Sequence, residues 1–128
     1  MKTPAKFALA GVMLAGLGAW FAVSAQETDD PLDSLKVCKD TQRLILENQF
    51  VRVIDDSIPP GVTEPMHRHR HGVVVYLSNY TTEQTSQDGK KSLSPRTLNS
   101  AQWAEATVHS VKNLGSTNSH AIRIELKF

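Results

Sequence analysis

The sequence predicts an all-β domain, an antiparallel sandwich or barrel. Three observations carry this. Short segments rich in β-branched and aromatic residues recur along the chain, separated by Pro, Gly, Asn and Asp. No stretch after the leader has a convincing amphipathic helical period. The C-terminal run Ile122-Arg123-Ile124-Glu125-Leu126-Lys127-Phe128 alternates apolar and charged residues without a break, the period of a strand with one face in a core and one in water.

The elements follow in order. Lys2 and Lys6 precede an apolar run from Phe7 to Val23, and Val23-Ser24-Ala25 supplies small residues before Gln26. That order is the order of a secretory signal, with cleavage expected after Ala25 and a periplasmic or secreted destination. The competing reading is a retained anchor, since the run is close to the length that spans a bilayer. Residues 26–40 read as a flexible N-terminal segment, acidic and polar, and residues 41–128 as the folded domain. Arg43 to Glu47 and Phe50 to Asp55 read as strands joined at Glu47-Asn48. Ile58 leads into the turn Pro59-Pro60-Gly61. His67 to His71 forms a strand that Val73 to Leu77 continues or follows. Thr81 to Ser86 and Lys91 to Leu93 flank the hairpin signal Gln87-Asp88-Gly89-Lys90. Leu98 to Val108 carries Trp103, read as a core residue, and enters His109 to Asn113. Residues 114–119 read as a loop. In the last strand, alternation sets Glu125 with Arg123 and Lys127 on the solvent face.

Charge excludes some functions. Beyond residue 25 the chain has twelve Lys and Arg against thirteen Asp and Glu, a net charge of −1. This near-neutral balance gives no support for a nucleic-acid partner or for attraction to an anionic membrane. Cys38 is the only cysteine, so no internal disulfide can form, and it reads as a small buried hydrophobe. No Gly-x-Ser-x-Gly, phosphate loop or paired-carboxylate arrangement is present.

The chemistry is concentrated in histidine. Three of the five histidines, His67, His69 and His71, stand at every second residue. On a regular strand they project from one face, with Arg68 and Arg70 on the other. His109 lies in a separate β-segment, four residues before Asn113. If both segments line one interior, the imidazoles of His67, His69 and His109 meet and can hold a metal. His71 is a candidate fourth ligand, although Gly72 permits a bulge that would turn it away. Glu64 and Glu105 are the carboxylates within reach. His120 sits at a loop end and Asn113 reads as a turn former. Trp103 and Tyr76 could wall a small pocket.

These motifs resemble the cupins. Gly61, five residues and then His67-Arg68-His69 match the start of the first cupin motif, and His109-Ser110-Val111-Lys112-Asn113 matches the end of the second. The similarity spans roughly Glu47 to Leu126 and is nearest to the small single-domain cupins of β-alanine degradation. It implies a single jelly-roll-like antiparallel barrel with His67, His69 and His109 as metal ligands. The motif's glutamate would fall at Val73 or Val74, so that ligand is missing. Three neutral imidazoles suit Fe, Mn, Ni, Cu or Zn. Without a carboxylate, the metal's full charge would favour an anionic substrate or hydroxide. By resemblance, the expected activity is a metal-dependent, dioxygenase-type reaction on a small molecule. The alternative is a non-catalytic module binding a metal or small ligand, and a homodimer is expected from the resemblance alone.

Overall fold

The computed structural model describes residues 29–128. The expected leader, residues 1–25, and its expected cleavage site lie outside them. Among the described residues, no helix is long and apolar enough to cross a membrane.

Among the described residues, nine strands form two antiparallel sheets. They are β1 (Gln42–Glu47), β2 (Val51–Ile58), β3 (Thr63–His69), β4 (Gly72–Tyr76), β5 (Tyr80–Ser86), β6 (Lys91–Arg96), β7 (Ala101–Ala104), β8 (Thr107–Asn113) and β9 (Ser119–Leu126). One sheet has the order β1-β2-β9-β4-β7 and the other β3-β8-β5-β6. The domain is all-β apart from one short helix, α1 (Ser34–Val37), as the alternating pattern implies.

Turn chemistry sets the strand ends. Asn48 Oδ1 accepts from the amides of Phe50 and Val51, closing the β1–β2 hairpin. Gly61 has φ 74°, which suits glycine, and its amide donates to the Asn113 carbonyl. Asn113 is fully buried and ties this end together: Nδ2 donates to the carbonyls of Ile58 and Thr117, and Oδ1 accepts from the Gly115 amide. The stretch read as one unit from Leu98 to Val108 divides into β7 and β8, with Glu105 and Ala106 between them.

Part of the segment read as a flexible lead-in is folded. Asp33 caps α1 through the Leu35 amide. Ser34 and Cys38 are buried, the Arg68 amide donates to the Leu32 carbonyl, and Asp33 pairs with Arg52 at 2.6 Å. These partners lie far away in sequence, which is why local composition does not reveal them.

The larger sheet corrects the expected facing of β9. Ser119, Ala121 and Glu125 are buried, whereas Ile122, Ile124 and Leu126 are only half-buried. The charged residues therefore point into the barrel and the isoleucines point out. On the outer side, register aligns Leu46, Val53, Ile124 and Val73 across four strands and continues to Trp103 on edge strand β7, which also borders the inner cavity. Trp103 is 52% exposed and lies on edge strand β7, not in the core.

Candidate metal centre

β3 and β8 bring the histidines together. His67 and His69 are two residues apart on β3, so they share a face. His109 on β8 is the direct cross-strand partner of His67. All three are buried, and one ring nitrogen from each lies within 4.8 Å of the others. The ring centroids are 4.7, 4.9 and 5.6 Å apart.

The outer ring nitrogens fix the tautomers. His67 Nδ1 is 2.7 Å from the Pro65 carbonyl, which can only accept, so Nδ1 carries the proton. His69 Nδ1 is 2.7 Å from Glu125 Oε1. Glu125 Oε2 in turn accepts from Arg52 Nε at 3.0 Å and Nη2 at 2.7 Å, and Arg52 Nη1 donates to Asp33. The chain His69–Glu125–Arg52–Asp33 holds the imidazole rigid, the role outer hydrogen bonds play around metal-ligating histidines. Both Nε2 atoms are then bare, and they face each other at 3.0 Å. Two lone pairs at that distance repel unless a cation sits between them. Two nitrogens at right angles, each about 2.1 Å from a common ion, would stand about 3.0 Å apart. The donor set fits a metal.

Electrostatics point the same way. Burial, with Arg123 and the neighbouring histidines, holds His69 well below the usual imidazole range. Burial and His67 push His109 down to about 3. Both rings are neutral at physiological pH, the form that ligates.

Glu64 supplies a carboxylate from an unexpected direction. Strict alternation from Glu64 to His67 would put them on opposite faces. However, three residues of β3, Glu64 to His67, span the register that two residues of β8 span, Val111 to His109. This bulge turns Glu64 inward. Glu64 is 2% exposed. Its Oε1 accepts from Thr41 Oγ1 and Gln42 Nε2. Its Oε2 has no hydrogen-bond partner and lies 3.6 Å from His67 Nε2. Cys38 Sγ falls within the same reach of Glu64 and His67. Burial, reinforced by Glu64, pushes its thiol up, so Cys38 stays protonated.

The other sequence candidates separate. His71 follows the end of β3 and its ring packs against Trp103, with centroids 5.7 Å apart, outside the cluster. Glu105 is exposed and accepts from Trp103 Nε1. His120 bonds Asp55 on the outer side of the sheet. A cavity of about 350 Å³ adjoins the histidines and is lined in part by His69, His109, Glu64, Tyr76 and Trp103. Sequence reasoning missed Glu125, Arg52, Arg123 and Asp56. The available signal was Arg52 and Glu125, complementary charges each flanked by apolar residues in β2 and β9.

A cupin domain from Bordetella pertussis Tohama I is similar in structure, with a TM-score of 0.63 and 26% identity over 68% of this chain and 92% of that one. The fold is a cupin fold. An RmlC-like cupin with a double-stranded β-helix fold from Methanocaldococcus jannaschii superposes at a TM-score of 0.52, with 11% identity over 66% of this chain and 77% of that one. Oxalate decarboxylase from Lactobacillus farciminis, in a formate complex, gives 0.50 with 15% identity, over 68% of this chain but 28% of that longer one. No protein-family profile matches the sequence, and no curated protein does. Against the cupin motifs, Val73 and Val74 hold the positions of the missing glutamate. Val74 is a buried apolar residue of β4, and the carboxylate at the histidines comes from Glu64, upstream of them.

Proposed function

We propose that this cupin is an exported metal-dependent enzyme acting on a small molecule, with His67, His69, His109 and Glu64 holding one divalent transition metal. The observation that carries the reading is the pair of bare Nε2 atoms facing each other at 3.0 Å. The leader motif supports export, and the motif resemblance supports a dioxygen-using reaction of the kind expected for small cupins of the β-alanine-degradation type.

When bound, the metal would supply Lewis-acid chemistry and, for Fe or Cu, redox chemistry. The protein's own residues do the rest. Pro65 and Glu125 keep the Nδ1 protons of His67 and His69 and so leave the inner nitrogens free to bind. Arg52 keeps Glu125 in place, and Thr41 and Gln42 orient Glu64. The cavity has room for a small substrate beside the histidines. Burial, with Glu64 nearby, raises the Asp56 carboxyl well above the usual carboxylate range.

That same shift favours a second reading, a non-catalytic module binding a metal or small ligand, because it works against Asp56 as an ionised general base. Oxygen uptake separates the two. Metal-loaded protein is expected to consume dioxygen only when a suitable small organic acid is added. Retained metal with no turnover of any acid tested would support the binding module.

A further inference from the structure

Two arginines point into the barrel from the larger sheet, and their surroundings differ. Arg52 faces Glu125 across the β2–β9 ladder and is fully engaged by Glu125 and Asp33. Arg123 lies opposite Ile54 on one side and Val74 on the other, both buried and apolar. Its Nη1 is buried without a hydrogen-bond partner. A buried guanidinium N–H with no acceptor is unfavourable, and such groups are ordinarily satisfied. Arg123 lines the 350 Å³ cavity beside His69 and His109.

Asp56, in the same cavity, also has a buried and unpartnered atom, Oδ1. The acid and the arginine share the space, yet those two atoms do not bond each other. Tyr76 and Tyr80 form the adjoining wall, with rings 6.0 Å apart, and Arg96 lies over Tyr76 at 5.0 Å. Arg96 and Arg123 line the cavity together with the carboxyl groups of Asp56, Glu64 and Glu105, and burial with Glu64 nearby pushes the Asp56 carboxyl well above the usual carboxylate range.

We propose that this cavity binds a small carboxylic acid in its anionic form, with Arg123 donating to the carboxylate from the wall, which places the rest of the molecule beside the histidines. The substrate class rests on the metal-site reading only for what happens next; the carboxylate subsite itself needs no metal. At about 30 Å³ for each water-sized group, the 350 Å³ cavity suits a ligand of on the order of ten non-hydrogen atoms.

The test is equilibrium binding of propanoate and its neutral isostere propanamide, followed by NMR on protein with and without metal. Propanoate is expected to bind at least about tenfold more tightly than propanamide in both states, the scale of a hydrogen bond to a charged group. Arg123→Gln should reduce propanoate to the level of propanamide and leave metal content unchanged, while Arg123→Lys keeps part of the preference. Equal binding of the two probes by the wild type, or unchanged propanoate binding by Arg123→Gln, would overturn the proposal. If Arg123→Gln does not fold, the Arg123 side-chain nitrogen signals of the wild type decide: they must move with propanoate, and their failure to move counts against the subsite. Preference for propanoate only in metal-loaded protein, insensitive to Arg123, would assign the carboxylate to the metal instead. A protein that discriminates the probes but holds no metal would retain this subsite and refute the metal-dependent function.

Discussion

The two faces of the five-stranded sheet differ in what they bury: the inner face encloses charged residues among Ile54, Ile58 and Val74, and the outer face carries an apolar row beside the Asp55–His120 pair. Its inner face carries Arg52, Asp56, Arg123 and Glu125, and its outer face carries the row Leu46, Val53, Ile124, Val73 and Trp103. Inside, Arg52 and Glu125 form a closed set that ends on His69, whereas Arg123 and Asp56 each keep an unpartnered atom. The closed set stiffens the histidines. The open set faces the cavity. Charges survive in a barrel interior when each is paired or awaits a ligand, so the polar face here marks the functional side.

The largest effect on this arrangement is expected at Gly72. A Cβ there would stand 1.9 Å from the Ile124 carbonyl oxygen and 3.1 Å from Glu125 Cα. Gly72→Ala should therefore cost about 3 kcal/mol or more of stability in urea unfolding, at the upper end for overpacking. A loss below about 1 kcal/mol would mean that β4 and β9 separate easily.

The faces themselves can be compared at two isoleucines. Ile54, fully buried on the inner side, should lose about 2–5 kcal/mol on replacement by alanine. Ile124→Ala, on the outer side, should lose about 1 kcal/mol and leave metal content unchanged. Equal losses in thermal unfolding would erase the distinction.

Glu125→Gln tests the closed set. With His69 less firmly held, metal affinity should fall about 10–100-fold in chelator competition. An unchanged affinity would leave the Arg52–Glu125 pair as a purely structural feature.

The smallest effect belongs to the outer face and depends on pH. His120 and Arg43 hold the Asp55 carboxyl below its ordinary value, with bonds of 2.7 and 2.8 Å. A depressed folded-state value means that the unfolded chain takes up the proton first as pH falls. The contribution is therefore present above about pH 4 and lost below it, and for an exposed pair it is about 1 kcal/mol or less. Asp55→Asn should flatten the melting temperature over that range, and His120→Ala should do so in part without touching the metal.

Much of this was legible in the sequence, and the gaps have physical causes. The alternation in residues 122–126, the Gln87–Lys90 turn and the His-x-His spacing gave the strands and the histidine cluster. Alternation shows that a strand has two faces but not which one turns inward, so Glu125 read as a surface residue. Glu64 was obscured by the bulge at Pro65 and Met66, where period two breaks for one residue. His71 followed the same period on paper, but β3 ends at His69 and Gly72 opens a new strand against β9. The packing of Asp33, Ser34 and Cys38 depends on partners distant in sequence, which composition cannot convey.

In the proposed centre three buried imidazoles hold a metal, with the Glu64 carboxylate beside His67. Elemental analysis of the purified protein beside His67→Ala and His109→Ala tests it most directly. The expected result is about one transition metal per chain in the wild type and none in either variant, with both variants folded. Equal trace metal in all three proteins would contradict it.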